Sequence, residues 1–327
     1  MQLPQVGSIA NLLVFPRSGF INRFQTLASS WILADQLGSK FEICWLPSPS
    51  VSGPATETFN SDFCDRYVVS EDSVLGRYGI NVDEVPRYIS ESTTGSWIGL
   101  RGHDRGEQAL MPELMNRLST ISTPSLLVVV AGGSFFLPEI GIRPKLTLSK
   151  FLTAKSDFYQ HLPLNAAVES AVTAQLQKDN SPFLGLHLRY TDRSFQAPFP
   201  REIRKALIKS RNETDITRVF IASDSGAARQ HWHDEALKLG LQPWGFTPQP
   251  GTVSGAHAAL IDWRLLTHSA RLVYFSSSSY STEAAVAAGT WNESVGLGPN
   301  PFRSVAVRTR TFAGAGLSRI RGNQPTD

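Results

Sequence analysis

Strands alternating with helices over most of a 327-residue chain predict an α/β protein built on parallel sheets, divided into two domains. Three observations carry that expectation. The length exceeds what one hydrophobic core usually serves, so two domains of about 150 residues each are the natural division. The opening of the chain, up to Trp45, reads as strand, turn, helix and strand. The half that follows residue 160 repeats strand and helix in turn, and strands joined by crossover helices pair in parallel with both faces covered.

The first strand is the apolar run Leu12 to Phe15, which Pro16 to Gly19 breaks. From Phe20 the apolar positions Phe20, Phe24, Leu27, Ala28, Trp31 and Ala34 recur at helical spacing, Leu37 ends the helix, and Gly38 supplies a left-handed cap. Phe41 to Trp45 is the next strand, and the Pro/Ser/Gly-rich stretch Pro47 to Pro54 is a loop. Between Thr58 and Thr120 the pattern is weak, with a possible strand at Val68 and Val69 and a possible helix from Gly106 to Leu118. Leu126 to Val130 is a buried strand closed by the turn Ala131-Gly132-Gly133-Ser134. A helix from Asn165 to Lys178 then precedes strand Phe183 to Leu188, helix Glu202 to Lys209, strand Arg218 to Ala222 and helices Ala227 to Leu239 and Ala256 to Leu266. Strand Leu272 to Phe275 and helix Ser281 to Ala288 complete the alternation, and the tail after Pro301 is polar and glycine-rich. The boundary falls between Lys155 and Asn165, giving domains 1–160 and 161–327.

Hydrophobic residues form 41% of the chain and charged residues 18%, the composition of a folded protein and not of a disordered one. A net charge of +3, with no block of like charges, excludes a nucleic-acid footprint and leaves a small anion as the expected charged ligand. The only cysteines, Cys44 and Cys64, are too few for a disulfide framework or a cysteine zinc site. Neither a leader nor 18 uninterrupted apolar residues is visible, so no transmembrane segment is expected and the expected location is the cytoplasm.

Four segments stand at the ends of expected strands and carry groups suited to phosphate, ribose or a purine. The first, Arg17 to Arg23, is a strand-to-helix turn in which Gly19 lets a ligand near the backbone and the helix N-terminus attracts negative charge. The second is His187-Leu188-Arg189-Tyr190-Thr191-Asp192, where a guanidinium at a strand end can hold a diphosphate through parallel charge-assisted bonds. The third, Ile221 to Gly226, offers Asp224 either as a helix cap, the commoner role, or as a ligand for hydroxyls. In the fourth, Asp262 interrupts the apolar positions of a helix, and its burial needs a donor partner such as the N1 and N2 groups of a guanine. The serines Ser276 to Ser279 follow between a buried strand and an alanine-rich helix, a setting for a hydroxyl and amide nest that holds diphosphate. His231 and His233, two apart on a helix, do not share a face and are no metal pair.

In this order, H-x-R-x-T-D, then A-S-D, then L-I-D-x-x-L-L, then F-S-S before an alanine-rich helix, the chain resembles the nodulation fucosyltransferase and core alpha-1,6-fucosyltransferase family, a branch of the fucosyltransferase superfamily. The resemblance covers mainly residues 159–290, and the first half joins it only through the Gly19-x-x-Asn22 turn and its helix. It implies a GT-B fold, two Rossmann-like domains facing across a cleft, with an acceptor-side domain first and a GDP-sugar domain second. It further implies that Arg189 holds the β-phosphate of GDP-fucose, that His187 and Asp262 contact the guanine, that Ser277 and Ser278 hold phosphate oxygens, and that Asp224 is an essential carboxylate. Gly19, Asn22, Arg193 and Ser279 complete the implied donor site. The chain departs from the family at three positions: Tyr190 replaces a second arginine, Arg193 a lysine, and Ala197 the glutamate that eukaryotic members use as base.

The expected chemistry is inverting, metal-independent transfer of fucose from GDP-fucose to a hydroxyl of a glycan or glycoconjugate, with no cofactor. Arg189, Arg193, the serine hydroxyls and the dipole of the last helix meet the charge on the departing GDP. Asp192 and Glu202 are the candidate bases, because both lie near the arginine turn. Another GDP-sugar as donor, or nucleotide-sugar binding without catalysis, are the alternatives.

Overall fold

The computed structural model describes residues 9–83, 85, 97–101 (backbone), 126–135, 146–190, 197–245 and 255–298. The chain divides into two compact units, one of Met1–Gln175 with Gln249–Ile261, the other of Leu176–Pro248 with Asp262–Asp327.

The first unit holds a parallel sheet of order β2-β1-β4-β3, in which β1 is Asn11–Pro16, β2 Lys40–Ile43, β3 Trp97–Arg101 and β4 Leu126–Ala131. β1 and β4 are apolar almost throughout because strands covered on both faces have no solvent side. Helix α1, Phe20–Leu37, crosses from β1 to β2 and ends on Gly38, whose φ of 67° is the left-handed conformation expected of it. The order of the strands reverses between β1 and β4, which run parallel, so the turns after these two strands meet at the carboxyl edge. Their approach is close: a Cβ on Gly132 would lie 2.7 Å from Ser18 Oγ, and Gly133 N–H donates to Thr26 Oγ1 at 3.2 Å. Helices α2 (Ser61–Tyr67), α3 (Glu71–Tyr78) and α4 (Leu148–Gln160) also belong to this unit. Cys44 and Cys64 are buried free thiols, and burial pushes Cys44 up to about 12.

Helix α5, Ala166–Gln177, leads into the second unit, whose parallel sheet has the order β7-β6-β5-β8-β9. Its strands are β5 Leu184–Leu188, β6 Arg218–Ser223, β7 Gln242–Trp244, β8 Arg271–Phe275 and β9 Val295–Leu297. Its helices are α6 Pro200–Thr214, α7 Gly226–Lys238 and α9 Ser279–Ala287, and α8 Gly255–Leu266 crosses the division, with residues 255–261 in the first unit and 262–266 in the second. Leu184, Leu186, Leu188, Val219, Ile221, Val273 and Phe275 form one core with Ile203, Leu207 and Trp232 of the helices. Each such side chain contributes about 1.5–3 kcal/mol on full burial. From β5 the chain steps outward to β6 and β7, then returns to the other side of β5 with β8 and β9. The order reverses between β5 and β8, and a reversal of this kind leaves a crevice beyond the strands' carboxyl ends. Two parallel sheets, each flanked by helices, are the two Rossmann-like units of a GT-B chain.

Several elements differ from the expectation. α2 and α3 occupy part of the stretch with the weak pattern, and Val68 makes only an isolated bridge to Ile43. Their starts were marked by Asn60 and Ser70, which accept from Phe63 N–H and Ser73 N–H. α4 has Lys155 and Ser156 on its buried face beside Phe151 and Tyr159, so polar residues interrupt its apolar stripe. The last helix begins at Ser279, two residues earlier than expected, so the serine run is its N-terminus. The possible helix from Gly106 to Leu118 and the tail after Pro301 lie outside the described residues.

Candidate functional site

In the second unit, β5 ends at the reversal point with His187 and Arg189 on its last residues and the turn beyond. His187 is buried, its Nδ1 lies 2.8 Å from Ser281 Oγ, and its ring stacks on Tyr280 at 4.6 Å and 24°. Burial pushes the imidazole down to about 3, against the pull of the Asp224 carboxylate and with the push of the Arg189 guanidinium. The ring is therefore neutral near pH 7. Arg189 is half-buried just beyond the carboxyl end of β5.

Tyr280 links this histidine to Asp262 on α8. Burial raises the phenol well above its usual range, with the Asp262 carboxylate adding to the effect and Arg229 opposing it. Asp262 Oδ2 accepts from Arg229 Nη2 at 3.0 Å, whereas Oδ1 is buried with no hydrogen-bond partner among the described residues. Burial pushes the carboxyl up to about 7 despite Arg229. The sequence argument that a buried Asp262 needs a donor thus finds one in Arg229, and only for one of the two oxygens.

Asp224 does not cap α7. Ser225 does, accepting from Ala228 N–H at 3.3 Å, because the helix starts one residue later than a cap at Asp224 would require. Asp224 Oδ1 instead accepts from Tyr190 N–H at 2.8 Å, which ties the end of β6 to the turn after β5. The Tyr190 ring packs inward, edge-on to Phe275 at 5.7 Å and with its hydroxyl 3.4 Å from Trp232 Nε1. The Tyr190 side chain is therefore packed against the core of this unit.

Across the reversal point, Ser276 Oγ donates to Leu297 O at 3.0 Å, and Ser278 N–H donates to Phe275 O at 2.9 Å. Ser278 stands at the N-cap of α9 with its hydroxyl buried and without a partner among the described residues. An unsatisfied buried polar atom costs about 1–3 kcal/mol. Two of them, Asp262 Oδ1 and Ser278 Oγ, occur around Tyr280, and groups of this kind ask for an explanation such as a ligand. Ser277 and Ser279 flank this hydroxyl, in the turn and in the first turn of α9.

The second unit thus brings together His187, Arg189, Asp224, Asp262 and the Ser277 to Ser279 run at the carboxyl ends of β5, β6 and β8 and on α8 and α9. Glu202 stands in the first turn of α6, where its Oε2 accepts from Phe199 N–H at 3.3 Å and where it lines a shallow groove with Lys205, Lys209 and β9. Gly19 and Asn22 belong to the first unit, at the N-terminus of α1, and nothing would meet a Cβ on Gly19 within 4 Å. Asp192 and Arg193 lie outside the described residues. Sequence reasoning missed Arg229 and Tyr280. The signal for Arg229 was the need of Asp262 for a cation; that for Tyr280 was an aromatic residue adjoining the serine run. Among the described residues no group of three or more His, Cys, Asp or Glu side chains could hold a metal ion, and no helix is long and apolar enough to cross a membrane.

No protein-family model matches the chain, and no curated protein matches it in sequence. Solved structures do. FUT1 of Arabidopsis thaliana, in complex with GDP, has a TM-score of 0.59 at 16% identity over 88% of this chain and 71% of that one. POFUT1 in complex with GDP gives 0.53 at 11% identity over 88% and 99%. The NodZ alpha-1,6-fucosyltransferase co-crystallised with GDP gives 0.50 at 17% identity over 84% and 91%. At these identities the likeness is one of fold.

Proposed function

We propose that the chain is an inverting, metal-independent glycosyltransferase that moves fucose from GDP-fucose to a hydroxyl of a glycan or glycoconjugate. The observation that carries the proposal is the reversal of strand order between β5 and β8, where Arg189 follows the carboxyl end of β5, the serine-bearing N-terminus of α9 follows β8, and Asp262 Oδ1 and Ser278 Oγ are buried with no partner among the described residues. A diphosphate suits that end: a guanidinium, hydroxyls and a helix N-terminus all favour dispersed negative charge. The choice of GDP draws on the solved structures of like fold, which were determined with that nucleotide.

The roles follow from chemistry. Arg189, with Arg193 and the hydroxyls of Ser277, Ser278 and Ser279, stabilises charge that develops on the β-phosphate as the glycosidic bond breaks. Asp262 accepts from the N1 and N2 groups of guanine through the oxygen that Arg229 leaves unpaired. His187 keeps its Nδ1 on Ser281, so any contact with the base falls to the other edge of a neutral ring. Asp224 braces the arginine turn through Tyr190 N–H. The acceptor hydroxyl attacks the anomeric carbon from the face opposite GDP and loses its proton to a carboxylate, Asp192 ahead of Glu202, whose oxygen already caps α6.

Calorimetry with GDP, UDP and dTDP tests the base, and tighter binding of UDP than GDP would refute the guanine role of Asp262. Comparing GDP-fucose with GDP-mannose tests the sugar. A second reading, nucleotide-sugar binding without turnover, is favoured by one observation: the position of the eukaryotic base is Ala197, whose side chain is buried in the core. GDP-fucose binding with no GDP release on any glycan of a broad panel would select it.

A further inference from the structure

The first unit contains a pocket of about 610 Å³ that has no part in the site above. Its walls are the later turns of α1, the start and face of α2, and the end of α4 with the chain that follows it. Phe20 begins α1 beside the carboxyl edge of the sheet, and Trp31 and Gln36 follow about 16 and about 24 Å further along the helix at 1.5 Å per residue. The pocket therefore lies on the helical flank of this unit, away from the carboxyl ends of its strands. Protein cores are packed with few voids larger than a water molecule, and this volume falls instead in the range of small-ligand sites.

The lining defines the guest. Trp31 is half-buried and meets Tyr67 edge-on at 5.3 Å and Phe158 at 5.9 Å, giving the pocket an aromatic wall. The exposed Asp35, Asp62 and Asp157 set acceptors around it. Gln36, only 8% exposed, also lines the pocket, and its Oε1 is buried with no hydrogen-bond partner among the described residues. An aromatic wall bordered by acceptors suits a molecule with apolar C–H faces and many O–H donors. Three carboxylates against the one guanidinium of Arg66 leave the lining negative and disfavour an anion. An organic cation would compete for the aromatic faces, but the Arg66 guanidinium already lies 5.1 Å over the Tyr67 ring. We infer that this pocket binds a neutral oligosaccharide, a carbohydrate site separate from the strand ends where transfer is proposed.

The inference stands apart from the donor chemistry, and its test is arranged so that the two fail separately. Neutral tetrasaccharides of glucose, galactose and N-acetylglucosamine are titrated into the full chain in saturating GDP, followed by saturation-transfer NMR and calorimetry. Choline serves as the cationic control. At least one tetrasaccharide is expected to bind, to bind equally in Arg189→Ala, and to weaken by at least roughly tenfold in Asp35→Asn/Asp157→Asn, which alters exposed side chains only. Trp31→Phe is expected to weaken the same ligand while leaving GDP binding intact. The inference is overturned if no tetrasaccharide binds at millimolar concentration, if choline binds and displaces it, or if binding is lost in Arg189→Ala and kept in the double variant. Absence of GDP binding with oligosaccharide binding retained would count against the proposed transferase and leave the pocket's role in place.

Discussion

Arg189 and Asp262 stand on opposite sides of one electrostatic problem. Arg189 is a half-buried cation beyond the end of β5, and under the proposed mechanism Arg189→Ala is expected to lower the transfer rate roughly 100-fold to 1000-fold, the usual cost of removing one donor that stabilises a developing anion. Single-turnover kinetics with GDP-fucose measures it, with circular dichroism to establish that the variant is folded. Asp262 is a carboxylate that burial holds near neutrality, and its effect has a definite sign. Burial lifts the folded carboxyl to about 7 from the ordinary 3.8 of an exposed aspartate, so the folded chain holds a proton between these limits that the unfolded chain has released. Its contribution to stability is therefore lost as pH rises through that window. The wild type is expected to lose thermal stability relative to Asp262→Asn as pH climbs from about 4 to about 7. Nucleotide binding has the opposite slope. If guanine pairs with the ionised form, the competent fraction grows between about pH 6 and about pH 8 and GDP affinity rises roughly tenfold. Calorimetry across that interval tests it, and an equal slope in Asp262→Asn would exclude this carboxylate as the source.

Elements explain why some of this was legible and some was not. The βαβ unit from Asn11 to Ile43 could be read because α1 has buried apolar residues at helical spacing and a glycine that closes it with positive φ. α4 could not, since Lys155 takes the position between Phe151 and Tyr159 on its buried face and donates to Ser134 Oγ at 3.0 Å, a tertiary partner invisible in local spacing. β7 and β9 are three-residue edge strands, and β7 carries Pro243, which only an edge tolerates. In the site, the residues at strand ends were legible because turn chemistry is local, whereas Arg229 became recognisable only once its distance to Asp262 was known. The caps offer a test at this level. Ser225, not Asp224, accepts from the first turn of α7, so Ser225→Ala is expected to cost about 1 kcal/mol of stability and Asp224→Ala to remove no helix cap. Urea unfolding of the two variants decides this. A larger loss of helix stability in Asp224→Ala would reverse the assignment.

The two units make different demands on a ligand, and that difference can be observed in the intact chain. Every described residue proposed to hold the nucleotide belongs to the unit of Leu176–Pro248 with Asp262–Asp327. A ligand that binds only a folded unit adds about 2.7 kcal/mol to its stability at a hundred times its dissociation constant. GDP is therefore expected to slow amide exchange most strongly in β5, β8 and the first turn of α9, with α7 and α8 following through the Arg229 and Asp262 pair. In the first unit α2 and α4 are expected to stay unchanged. The pocket on the flank of α1, α2 and α4 makes the complementary prediction, since a tetrasaccharide bound there protects those helices and not β5 or β8. Exchange followed by mass spectrometry with each ligand alone, then both together, separates the cases. Protection by GDP centred on α2 and α4 would move the nucleotide into the first unit and overturn the site at the β5/β8 reversal, because the groups arranged around Arg189 would then be left with no anion to meet.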